Sequence, residues 1–100
     1  MSELCLTMLC PPAVQERLLD ALLMSDEVAV FASTPAAAHG LAHHRLSANE
    51  QVLGLAVMTQ VQALLRLEDR DTVLASLASQ FAGSGLRYWI TPVLAAGEFT

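Results

Sequence analysis

Hydrophobic and polar positions alternate from the first residues of this chain. Leu4, Leu6, Met8 and Cys10 fall to one side of an extended backbone and Cys5, Thr7 and Leu9 to the other, the two-residue period of a strand. Pro11 and Pro12 end that run. Val14, Leu18 and Leu22, with Leu19 and Ala21, then recur at helical spacing while Glu16, Arg17 and Asp20 face away. Proline suits a first helical turn, so the spacing predicts a helix to about Met24. Asp26 and Glu27 mark a turn before a second strand, Val28 to Thr34, whose valines and Phe31 favour extended backbone and which should stop near Pro35. Pro35 to Asn49 mixes small residues, Gly40, His39, His43, His44 and Arg45 with no sustained period, and is expected to be a long loop. The two-residue period returns from Ala56 to Leu65, forming a hairpin with the second strand. Acidic residues at Glu68, Asp69 and Asp71 suit a helix start, and Val73, Leu74, Leu77, Ala78 and Phe81 make a helical stripe that Gly83 and Gly85 end. Leu86 to Leu94 is the last strand, with Pro92 suited to an edge or an end.

The resulting order, βαββαβ, is that of the α+β ferredoxin-like sandwich: a four-stranded antiparallel sheet with two helices on one face. A length of 100 residues supports one domain, residues 1–100, with the loop at about 35–49. The second face of such a sheet normally meets water and carries charge. Within the four predicted strands only Arg87 is charged; the outward positions hold Cys5, Thr7, Leu9, Ala29, Phe31, Met58, Gln60, Gln62, Leu64, Trp89 and Thr91. Such a surface calls for a cover, either the loop or the C-terminal segment folded over it, or another copy of the chain. The second is the expectation, with Thr7, Leu9, Phe31, Gln60, Gln62, Arg87 and Trp89 at the interface.

Composition points the same way. Hydrophobic residues make up 54% and charged residues 15%, against roughly 25% charged in ordinary soluble domains. A net charge of -5, with five arginines and no lysine, argues against a nucleic-acid partner, whose phosphates demand clustered cations. No apolar run reaches the length of a membrane span, and Glu3 with no basic residue before the first strand does not fit a signal peptide, so the expected compartment is the cytoplasm. Cys5 and Cys10, five apart on one strand, point to opposite faces and are expected to stay reduced.

Candidate chemistry is sparse. Acylphosphatase, an enzyme of this fold, needs a glycine-rich first loop with an arginine, and Cys10, Pro11 and Pro12 supply neither. No spacing pairs a nucleophile with a base, so the chain is not expected to be an enzyme. His39, His43 and His44 lie within six residues; they read first as solvated loop residues beside alanines and glycine, while a flexible loop could also bring two of them to one divalent transition metal. The cysteines lack the Cys-x-x-Cys spacing of a soft-metal carrier and are better explained as small buried hydrophobes. Gly83, Ser84 and Gly85 are better explained as a helix stop than as a phosphate cradle.

The βαββαβ order, the long loop, the run Ser47 to Gly54 with Glu50, Gln51 and Val52, and the closing Gly85 to Val93 with Trp89, Ile90, Thr91 and Pro92 resemble an uncharacterised family of PII-like proteins over nearly the whole chain. Relatives of that group, the PII signalling proteins and CutA, are trimers whose bare sheet faces pack around a three-fold axis. The resemblance therefore implies a PII-like homotrimer with Arg87 and Trp89 facing its core, a loop at 35–49 that contacts a partner protein, and Glu50, Gln51 and Gly54 at the loop base lining an inter-subunit cleft. PII proteins that bind ATP carry a longer glycine-rich loop with cations; here it is Gly83, Ser84 and Gly85, and nucleotide is not expected. Members of the family resemble proteins encoded beside heavy-metal efflux pumps. The function implied is a small-ligand or metal-responsive regulatory protein linked to efflux, with His39, His43 and His44 as metal ligands; a metal-tolerance binding protein of the CutA type and a small enzyme of the same fold are the alternatives.

Overall fold

The computed structural model describes residues 2–41 and 46–100. Strand β1, Glu3–Cys10, runs until Pro11, after which a single 3-10 turn at Pro12–Val14 leads into helix α1, Gln15–Leu23. Strand β2 is Val28–Ala38, helix α2 is Ala48–Leu53 and strand β3 is Ala56–Arg66. A 3-10 turn at Leu67–Asp69 opens helix α3, Arg70–Phe81, and strand β4, Arg87–Val93, follows. All pairings are antiparallel, in the order β2-β3-β1-β4. This is the ferredoxin-like α+β architecture expected from the element order, with β1 and β3 central and β2 and β4 at the edges.

The core follows from the alternation. Leu6, Met8 and Cys10 of β1 and Val61, Ala63 and Leu65 of β3 lie on one side of the sheet and are fully or nearly fully buried. Val14, Leu18 and Leu22 cover them from the α1 side, and Val73 and Phe81 from α3. Arg17 of α1 ties the two helices together, donating from Nη2 to the Gln80 carbonyl at 2.8 Å with its guanidinium 5.1 Å from the Phe81 ring centre. Burial also pushes the Cys10 thiol up from its ordinary pKa, so this residue behaves as a core hydrophobe.

Three local features depart from the sequence reading. β2 passes through Pro35 and continues to Ala38, because β2 pairs with β3 alone and an edge strand tolerates a residue without an N–H on its outer side. Between Val28 and Val30 the register slips by one residue, a bulge that reverses the facing of everything after it. Phe31 therefore pairs with Ala63 and packs against the core rather than the open side, where Val30, Ala32 and Thr34 stand instead. Finally, part of the segment read as loop, Ala48 and Asn49, belongs to α2, together with Glu50 and Gln51.

Candidate functional site

On the side of the sheet away from the helices the pairings set out three complete rows across all four strands. Arg87, Leu9, Gln60 and Thr34 form one; Trp89, Thr7, Gln62 and Ala32 the next; Thr91, Cys5, Leu64 and Val30 the third. At strand spacings of about 4.8 Å and side-chain repeats of about 6.8 Å, the rows cover on the order of 400 Å² of sheet. Thr7, flanked by Gln62 and Trp89, is already 4% exposed in the single chain, while Trp89 stays 43% exposed. Six of the seven residues expected at an interface, Thr7, Leu9, Gln60, Gln62, Arg87 and Trp89, share this face; Phe31 does not. Charge sits only at its ends. Arg87 closes one, and because β1 and β3 each run one residue further than the pattern suggested, Glu3 and Arg66 stand opposite each other in the strand register at the other, where Arg66 is ion-paired with Glu68 and Asp69. Leu94–Thr100 is exposed throughout and lies over neither face.

At the Arg87 end the open face meets a small cavity of about 240 Å³ lined by Pro11, Leu41, Met58, Ser84, Gly85 and Arg87. Gly83 and Gly85 adopt positive φ, 75° and 89°, which turns the chain sharply from α3 into β4. The Ser84 hydroxyl accepts from the Leu86 N–H at 3.2 Å and holds that turn closed. The cavity thus joins the segment after β2, the start of β3, the glycine turn and the cation of the open face. Two larger clefts, about 570 and 460 Å³, lie on the helix side.

Helix α2 is built by its ends. Ser47 Oγ accepts from the Glu50 N–H at 3.2 Å while Glu50 Oε1 accepts from the Ser47 N–H at 3.0 Å, a reciprocal capping box. Glu50 Oε2 also accepts from the Val57 N–H at 2.7 Å, so one carboxylate clamps the helix to the first residues of β3. The Val57 N–H, and then the Ser47 N–H, hold the Glu50 carboxyl below its ordinary pKa. Gln51 Nε2 donates to the Leu46 carbonyl at 3.3 Å. Gly54 ends the helix in the left-handed conformation, φ 72°. Glu50, Gln51 and Gly54 thus shape the base of the loop, with Glu50 committed to backbone partners. The signal was present in the sequence as Ser47 three residues before Glu50, followed by Gly54.

His39 stands just beyond β2, exposed, with Nδ1 3.3 Å from the Gly54 carbonyl. A carbonyl only accepts, so Nδ1 is the donor in this contact. His43 and His44 lie outside the described residues. Among the described residues no group of three or more histidines, cysteines or carboxylates converges on one point.

The family model described as "Protein of unknown function (DUF3240)" matches residues 1–100. No curated protein matches the chain. Among solved structures, a DUF3240 family protein from Shewanella baltica OS155 superposes with a TM-score of 0.82 at 15% identity, covering 100% of this chain and 99% of that one. A Bacillus cereus protein related to NIF3 superposes with a TM-score of 0.67 at 11% identity over 97% of this chain; the match spans 26% of that protein. At these identities the structural likeness speaks for the fold alone. The whole-length family match, together with the βαββαβ sheet it accompanies, makes this chain a member of the DUF3240 family.

Proposed function

We propose that this chain is a cytoplasmic, non-enzymatic regulatory protein of the PII-like kind. It works as a homotrimer closed by the open sheet faces and responds to a small ligand through the segment between β2 and α2. The observation that carries this reading is the open face itself: three rows of side chains across four strands with no charge between Arg87 at one end and Glu3 and Arg66 at the other. Packing that face between copies removes it from water and places the glycine turn, Met58 and Leu41 of each copy beside a neighbour.

The ligand is proposed to be a divalent transition metal taken by His39, His43 and His44, with Glu50, Gln51 and Gly54 setting the pose of the segment that carries them. The exposed ring of His39, engaged through Nδ1 alone in its contact with Gly54, supports this. Its output is a contact of that segment with a heavy-metal efflux system. No helix among the described residues is long and apolar enough to cross a membrane, so in this reading the pump is a separate partner.

Thermal unfolding across a panel of divalent metals and nucleotides tests it, because a ligand of the folded state raises the midpoint. The expected result is an upward shift with one transition metal, at most a small one with nucleotide, and loss of the metal shift in the His39→Ala, His43→Ala, His44→Ala triple variant. An undiminished shift in that variant contradicts the metal assignment. A metal response with no change in partner binding would favour a carrier of the CutA type over a regulator.

A further inference from the structure

The segment after β4 carries apolar side chains into open solvent. Leu94–Thr100 is exposed along its length, and Leu94 and Phe99 are as open as in an isolated extended peptide, 102% and 104%. The molecule is correspondingly long, 46 × 28 × 19 Å, with a radius of gyration of 14.7 Å against roughly 13 Å for a compact domain of this size. On the helix side, a cleft of about 460 Å³ opens between α3 and β4, walled by Leu74, Leu77, Phe81, Leu86 and Tyr88. No charged residue occurs from Thr72 to Leu86, so the cleft has a single chemical character along its α3 wall.

We propose that this cleft receives Phe99 from the tail of a second copy of the chain. An aromatic side chain buries about 150–250 Å², the largest apolar gain any residue of the tail offers such a cleft. Aliphatic and aromatic walls reward such an occupant and would leave a polar one without hydrogen bonds. The donor is another copy because the chain's own tail leaves β4 at Val93 and remains in solvent, whereas the cleft lies by Leu86 and Tyr88 at the other end of that strand. The acceptor is within reach of a neighbour: Tyr88, 55% exposed, lines the cleft, and Trp89, next in sequence, belongs to the open face on the other side of the same edge strand. Phe99 lies six residues beyond Val93, a span of up to about 20 Å, enough for a tail to pass around that edge from a copy packed beside it. Tail exchange rests on the sheet-face assembly of the proposed function, which would bring β4 of one copy near α3 of another.

The test places photoreactive benzoylphenylalanine at position 99 of the full chain, where full exposure leaves the fold untouched. Nitrogen-15-labelled and unlabelled chains are mixed by joint unfolding and refolding, irradiated and digested. The expected result is crosslinks from position 99 to peptides of α3 and the start of β4, with about half of the crosslinked pairs isotopically mixed. Crosslinks that only ever join peptides of one label, crosslinks to the open sheet face, or no protein crosslink would each overturn the proposal. Ala78→Trp, at an exposed α3 position bordering the cleft, should fill it and abolish the crosslink at unchanged circular dichroism; a persisting crosslink also overturns it. Chain mass tells the two failures apart: a threefold mass without the crosslink overturns tail exchange alone, whereas a single-chain mass overturns the assembly on which it rests.

Discussion

The two faces of this sheet come from the same strands and the same two-residue period, yet among the described residues only one is covered by helices of its own chain. On the helix side Leu6, Met8, Val61 and Ala63 are wholly buried under α1 and α3. On the other, Gln60, Gln62, Leu9 and Trp89 present a surface almost as free of charge, with no helix among the described residues over it. The first face is specified by packing, the second by what it leaves out: glutamine, threonine and tryptophan can meet water in a free chain and still pack at an interface. The contrast teaches that absence of charge, more than hydrophobicity, sets the open face apart from an ordinary solvated one.

The contrast is most sharply broken by truncating the closed side. Leu6→Ala removes a fully buried side chain and should cost about 2–5 kcal/mol of unfolding free energy, measured by urea denaturation; a loss below about 1 kcal/mol would mean that the helices do not form a close-packed cover. A control outside both faces comes next. Gly54 ends α2 at φ 72° with open space around it, so Gly54→Ala meets backbone strain without a clash and should cost about 1–2 kcal/mol. Trp89→Glu on the open face should change the stability of a separated chain by no more than about 0.5 kcal/mol, as surface substitutions do, while abolishing association.

The smallest effect is pH-dependent. The Glu50 carboxylate has its pKa lowered by the Val57 and Ser47 N–H groups, so its ionised form favours the folded state. That contribution is present above the ordinary glutamate value of about 4.3 and is lost as pH falls below it toward the lowered one. Unfolding midpoints of the native chain and of Glu50→Gln should differ at neutral pH and converge in acid. Parallel curves across that range would remove the clamp from the account.

The sequence made the fold legible because its alternations are clean and its punctuation is strong: Pro11 and Pro12 after β1, Gly83 and Gly85 after α3. What escaped it was local. A one-residue bulge at the start of β2 leaves no mark in a valine-rich run, yet it moves Phe31 from the open face into the core. Pro35 reads as a strand stop, and only the edge position of β2 makes it harmless. The short helix α2 was written in Ser47, Glu50 and Gly54, but six residues are too few to show a helical period. Of the site residues, Arg87 and Trp89 could be placed on the open face by parity alone, whereas the clamp from Glu50 to Val57 spans seven residues through a side chain and has no sequence signature.

The central claim is that the open face is where copies of this chain meet. Light scattering of the native chain across a tenfold micromolar dilution, beside Trp89→Glu, tests it most directly. The account predicts a mass about three times the 10.7 kDa of the single chain for the native protein and the single-chain mass for the variant. A native chain that stays at 10.7 kDa throughout, or a variant that keeps the native mass, would contradict it.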